Sequence, residues 1–424
     1  MICRKIRPFV VSLAAVLTLP STLMADGERY LVKFEKIRLT DKYYAEGASS
    51  GDFNHDGKTD IVCGPLWFEG PEFKKTHRFY PGKAYPNDRG YSDNFFSFVH
   101  DISGDGWDDV LVVGLPGTPA HWYENSRKDT PWKKRLAFRA ADNEAPVFED
   151  LTGDGKPELI CTFQGRLGYA SYDPSDLDRE WTWHPISAKG KWSRFSHGLG
   201  IGDVDGDGRK DFLTPTGWWT QPPSLDGDPE WKHHPFRFCG GGAQIWTYDV
   251  DGDGDNDVIT SLRAHAYGLS WFEQVKTDKP GISFKERKIM GARPQDNPFG
   301  VAFSQLHAVD LRDVDGDGLK DIVAGKCYWA HNGGDPGARD PAVVYWFQLV
   351  RSKDGVGYVP HLVDDDSGVG RQVNAVDVNG DGLTDIVCGN KKGTFVFLNR
   401  ARKVSEDEWR KAQPRPRASK PDDS

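Results

Sequence analysis

Seven stretches of this sequence place carboxylates at alternate positions around a fixed glycine, the arrangement that holds a hard, oxygen-seeking cation. DFNHDGKTD supplies Asp52, Asn54, Asp56 and Asp60; DISGDGWDD supplies Asp101, Asp105 and Asp109; DLTGDGKPE supplies Asp150, Asp154 and Glu158. DVDGDGRKD supplies Asp203, Asp205, Asp207 and Asp211, and DVDGDGDND supplies Asp249, Asp251, Asp253 and Asp257. DVDGDGLKD supplies Asp313, Asp315, Asp317 and Asp321, and DVNGDGLTD supplies Asp377, Asn379, Asp381 and Asp385. Alternate residues of a tight loop turn their oxygens inward, and without a cation each close carboxylate pair repels by about 1 to 4 kcal/mol. Calcium suits such loops better than magnesium because the protein can supply six or more oxygens. Asx turns without an ion are the competing reading, strongest for the second and third loops, where Ser103 and Thr152 replace an acid.

These loops are not EF-hands, which need a bidentate Glu at the twelfth position and flanking helices. The twelfth residues here are Cys63, Val112, Cys161, Thr214, Thr260, Ala324 and Cys388. A β-branched run follows each loop, as in Asp60-Ile61-Val62, so the loop joins two strands of a hairpin. Successive loops start about 54 residues apart, the length of a four-stranded propeller blade rather than of a helical repeat. Aromatic third strands such as His121-Trp122-Tyr123-Glu124 and mixed fourth strands such as Trp181 to Ser187 complete each repeat. Phe34 to Thr40 has fourth-strand character but precedes the first loop, so it is expected to complete the last blade. The expectation is an all-β, seven-bladed β-propeller with one calcium-type loop per blade, closed by the N-terminal strand over residues 26–400. A polar tail, 401–424, follows, with a short helix opening at Ser405 and disorder beyond Pro414.

The face opposite the loops is reached by counting about six residues back from each. That offset selects Glu46, Phe95, Glu144, His197, Ala243, His307 and Arg371, with Gln244 and Gln372 one step on. Second strands run to the same face and deliver Gln164, Trp218, Arg263, His265, Lys326, Tyr328, His331, Asn390 and Lys391. His197, His265, His307 and His331 are candidate ligands, bases or acids, and Lys326 and Arg263 candidate electrophilic partners. Glu46, Glu144, Gln244, Trp218, Tyr328, Arg371, Gln372 and Lys391 are candidate substrate-binding residues. Zn2+ or another divalent metal is the candidate ion at this mouth. For any one of these histidines a hydrogen-bonded structural role is an equal reading; the cluster carries the argument.

Arg4, Lys5 and Arg7 precede the apolar run Phe9 to Leu19 and then Met24-Ala25, a secretory signal peptide over residues 1–25. Export to a periplasmic or extracellular space follows. Cleavage takes the net charge from −9 to −12, which disfavours nucleic acid as a partner. No later segment is apolar enough to span a bilayer. Cys63, Cys161 and Cys388 fall at equivalent strand positions and read as buried thiols, with no disulfide framework.

The repeated loop with its apolar strand resembles the FG-GAP or VCBS repeats of integrin α-subunit propellers and many exported bacterial proteins. FSQLHAVDLRDVDGDGLKDIVAGKCYWAHNGGDPG, DVDGDGDNDVITSLRAHAYGLSWFEQ and DDDSGVGRQVNAVDVNGDGLTDIVCGNKKGTFVF are similar to the propeller portion of the fungal aldos-2-ulose dehydratase family and related planctomycete-type secreted proteins. That resemblance implies metal-dependent dehydration of a keto-sugar such as 1,5-anhydrofructose, a carbon–oxygen lyase activity. The cupin-like domains of the fungal enzyme have no counterpart in the sequence. A noncatalytic glycan- or protein-binding propeller is the alternative.

Overall fold

The structure is a computed structural model that describes residues 29–128, 131–277, 281–353 and 355–417. The expected leader, 1–25, and residues 418–424 of the tail lie outside the described residues. The fold is all-β and β-propeller-like, built from five four-stranded sheets, one seven-stranded sheet and a two-stranded ribbon among those residues. Each four-stranded sheet is an antiparallel meander in which the acidic loop links the first strand to the second. Second strands such as Asp109–Val113 and Asp257–Ser261 are buried throughout. Covered on both faces, they read as continuous apolar runs rather than alternating ones. The seven-stranded sheet is two such meanders sharing the strand Lys133–Glu149, whose register breaks between Phe138 and Ala141. Phe34–Thr40 pairs antiparallel with Gly393–Asn399, as the sequence led us to expect.

First strands of successive sheets contact one another, for example Gly200–Gly202 with Trp246–Tyr248 and Val309–Arg312 with Val373–Val376. They surround a cavity of about 370 Å³ lined by Phe98, Val147, Ile201, Trp246, Asp310 and Gln372 among others. Gln244 and Gln372 are clamps in this wall. Gln244 accepts from the Val309 amide at 3.0 Å, and Gln372 accepts from Ser97 N and donates to Ser97 O.

A cross-strand pair recurs in every meander: an aromatic or Phe on the third strand faces a cation-type residue on the fourth. The pairs are Trp67 with His77, Trp122 with Arg135, Tyr169 with His184, Trp218 with His234, Trp271 with Arg287, Trp346 with His361 and Phe397 with Lys36. Ring stacking at 3.8 Å for Trp67–His77 and 4.2 Å for Trp346–His361 exemplifies the contact. Such pairs contribute about 0.5 to 1.5 kcal/mol each. Burial pushes His361 down to about 4, so it stacks as a neutral ring at pH 7. Ser171, His184 and Asp228 lie in line at 2.9 and 2.6 Å like a hydrolase triad. Thr220–His234 and Gln348–His361 repeat the same hydroxyl or amide contact in other sheets, so the trio belongs to the structural repeat.

Trp218 departs from its expected place at the mouth. The second strand Asp211–Thr214 has only four residues, so Trp218 falls in the third strand, buried against Phe284 and His234. The tail begins with a strand, Arg402–Val404, that pairs with Arg29–Leu31. A helix, Glu406–Ala412, follows, capped by the Ser405 side chain on the Glu408 amide. Its first turn is acidic and its last turn basic, matching the helix dipole. Cys63, Cys161, Cys239, Cys327 and Cys388 are buried free thiols.

Candidate functional site

Glu144, His197, His265 and His307 converge, each offering one ligand atom within 4.8 Å of the others. Glu144 lies on the shared strand Lys133–Glu149, and His197 and His307 lie just ahead of two other first strands. His265 sits in the turn after a second strand, Asp257–Ser261. Counting back from the acidic loops therefore placed three of the four, and strand direction placed the fourth.

The Nδ1 atoms of the three rings are all occupied. His197 Nδ1 lies 2.9 Å from Phe195 O, His265 Nδ1 lies 2.9 Å from Asp335 Oδ2, and His307 Nδ1 lies 3.3 Å from Gln305 O. Carbonyls and a carboxylate can only accept, so each Nδ1 carries the hydrogen and each neutral ring keeps its lone pair on Nε2. Those Nε2 atoms then meet: His197 and His265 approach at 3.1 Å, and the His307 Nε2 is buried without a partner. Glu144 Oε2 stands 3.3 Å from the His197 Nε2 and likewise makes no hydrogen bond. Three lone pairs and a carboxylate oxygen facing one space form an N3O donor set with oriented supports behind it.

Electrostatics keep Glu144, His265 and His307 in their ligating forms. Burial would raise the Glu144 carboxyl, but its surroundings, led by the Arg371 guanidinium, outweigh it and hold it at about 2. Burial, reinforced by Arg371 and the two neighbouring rings, drives His307 well below the usual imidazole range. His265 is lowered chiefly by burial. Arg371 is fully buried, 3.4 Å from Glu144 and 5.4 Å from the Tyr91 ring centroid, with Nε and Nη1 unpartnered.

A second carboxylate organises the outer edge. Asp335 accepts from His265 on one oxygen and, at 2.9 Å, from His331 Nδ1 on the other, and the two rings stack at 4.2 Å. Asp335, in a segment without regular pattern, was not singled out from the sequence; its spacing from His331, four residues on, is the signal that was there. The same connection, 326–343, reaches across the mouth. Its Trp329 Nε1 donates to Asp88 O, its His331 amide donates to Tyr91 OH, and its Asn332 accepts from the Gly90 amide. Lys326 is committed inside this connection, donating to Gly337 O and Asp340 O, so its amine is a loop staple rather than an electrophile. Lys391 donates to Trp329 O and lies over Tyr91, while Glu46 accepts from Tyr43 OH. Tyr328 lies beneath the Lys392 amine, 5.0 Å away. With that side covered, His197 and His265 open onto a cleft of about 1000 Å³ that Asp335 and Arg263 also line.

At the far face, the first acid of each loop accepts backbone amides, as Asp203 does from Gly206 and Gly208 and Asp377 from Gly380 and Gly382. The last acid is buried in every loop and, except for Glu158, which bonds only to Leu151 and Thr152 of its own loop, ties the loop to the end of the third strand. Asp257 accepts from Val250 and Gln274, Asp321 from Val314 and Leu349, and Asp109 from Ser103 and Asn125. Ligand-distance groups form in Asp203/Asp205/Asp211, in Asp249/Asp251/Asp253 and also in the third loop, Asp150/Asp154/Glu158. Burial first, then the like charges of Asp317 and Asp313, push Asp315 up to about 7.

Residues 101–161 match the FG-GAP-like repeat, and residues 369–400 match the FG-GAP repeat. The chain carries FG-GAP repeats. Among solved structures, this chain is similar to an Agrocybe aegerita lectin that recognises non-reducing terminal N-acetylglucosamine. That match has 16% identity, covers 87% of this chain and 92% of the lectin, and has a TM-score of 0.45. A virginiamycin B lyase from Staphylococcus aureus matches at 12% identity over 88% of this chain and 100% of its own, TM-score 0.45. A rhamnogalacturonan lyase matches at 15% identity over 88% and 73%, TM-score 0.38. Comparison with curated protein sequences gave no significant match.

Proposed function

We propose that this protein is an exported, calcium-stabilised, seven-bladed FG-GAP propeller that acts on a carbohydrate through a divalent metal held by Glu144, His197, His265 and His307. The reaction we assign is loss of water from a keto-sugar such as 1,5-anhydrofructose. The observation that carries the metal reading is the set of three Nε2 lone pairs and one carboxylate oxygen turned on a common point. Nitrogen-rich donors of this kind suit zinc or a similar transition ion, whereas the all-oxygen loops suit calcium. Like-charge crowding around Asp315 supports the loops as cation sites, because a bound cation relieves it.

A bound zinc-type ion would polarise a sugar carbonyl oxygen. His331 is oriented by Asp335 and 56% exposed at its side chain, so its Nε2 can take the proton from the carbon beside that carbonyl. The C–O bond of the hydroxyl one carbon further then breaks as the proton held on His331 passes to the departing hydroxyl, so that water leaves and an enone remains. Arg263 on the cleft wall offsets charge developing on the carbonyl oxygen.

The test is metal analysis of the purified protein followed by incubation with 1,5-anhydrofructose and 3-keto-glycosides, reading enone absorbance. The expected result is about one transition-metal equivalent beside calcium and enone growth abolished in His307→Ala. Calcium alone and no turnover would replace this reading with a glycan- or protein-binding propeller.

A further inference from the structure

The cleft leading to the histidines carries a charge opposite to that of the whole chain. The protein has a net charge of −9, yet Lys191, Arg237 and Arg263 line one cleft as exposed side chains. Among the described residues none of these three has a carboxylate partner. Asp335 is the only acid among the described residues lining the cleft, and both its oxygens are engaged by His265 and His331. Free cations grouped on a concave wall concentrate positive potential there. Beside them stand two aromatic residues. Phe195 is 51% exposed, and Trp192 is held edge-on against Trp219 with ring centroids 5.7 Å apart. The Phe195 carbonyl also accepts from His197, so the aromatic wall and the ligand set are joined within three residues.

We infer that this cleft is a subsite for an anionic saccharide, a sugar bearing a carboxylate or a sulfate ester. The sugar's C–H face rests on Phe195 and Trp192, and its anion is met by Lys191, Arg237 and Arg263. Guanidinium groups bind planar carboxylates and tetrahedral sulfates through paired N–H donors, and the aromatic faces take the apolar side of a pyranose. This narrows the substrate class of the carbohydrate reading above and rests on it. A neutral keto-sugar alone leaves Lys191 and Arg237 unused.

The experiment titrates the full chain with trigalacturonate, a sulfated chondroitin disaccharide, neutral chitotriose and an acidic hexapeptide, following tryptophan fluorescence at 0.05 and 0.5 M NaCl. At least one anionic saccharide is expected to bind 10-fold or more tightly than chitotriose and to weaken at high salt. The uronate and sulfate arms identify which anion is preferred. Lys191→Gln with Arg237→Gln is expected to erase that preference without moving the thermal midpoint, since neither side chain has a structural partner. Equal binding of chitotriose, equal binding of the hexapeptide, or an unchanged preference in the double variant overturns the subsite and leaves the carbohydrate reading standing. No binding of any saccharide overturns both.

Discussion

Asp335 sets the direction of two rings at once, and with them the outer half of the donor set. Replacing it with Asn keeps the shape but gives an amide that accepts on one side only, so His265 or His331 loses its anchor. We expect Asp335→Asn to weaken transition-metal affinity 10- to 100-fold, measured by chelator competition, while calcium content is unchanged. Much of this centre was legible in sequence. Strands of similar length run from each acidic loop to the opposite face, so a fixed offset found Glu144, His197, His307 and Arg371. Asp335 was hidden because it belongs to a long irregular connection with no period to count. Lys326 was placed at the right face, but no pattern could show that its amine would be satisfied by Gly337 O and Asp340 O.

The acidic loop is two devices in one element. Its outer acids crowd together, and its last acid is a buried staple between strands. Asp257, pushed up to about 7 by burial despite two backbone hydrogen bonds, shows how far that staple is withdrawn from water. Asp257→Ala removes both acceptors and leaves the Val250 and Gln274 amides unsatisfied, a loss we put at about 2 to 4 kcal/mol, read by denaturant titration. Calcium removal acts on the crowded carboxylates of the loop as a group. Chelation should lower the thermal midpoint by several degrees, and added calcium should restore it. Equal midpoints would remove the cation role from these loops. The alternation of the sequence did not reveal the aromatic–cation pairs, because their partners lie on separate strands and only the register brings Trp218 opposite His234.

Across the whole molecule, the roughly 54-residue period made the repeat visible before any coordinate, because every copy needs the same turn. The early strand Phe34–Thr40 was legible through its orphan position, whereas Arg29–Leu31 and Arg402–Val404 are too short to carry a pattern. Deleting residues 29–40 bares the strand Gly393–Asn399 along its full length. We expect concentration-dependent association of that truncated chain by gel filtration, where the intact chain elutes unchanged on dilution.

The pairing of the two ends also fixes how the molecule answers to force. Arg29 lies opposite Val404 and Leu31 opposite Arg402, and the alignment continues inward from Phe34 against Asn399. Tension applied through the flanking chain therefore meets the hydrogen bonds one rung at a time, as in unzipping, and never loads them side by side in shear. The clasp that holds the first and last segments together is the place where a pulled molecule opens first.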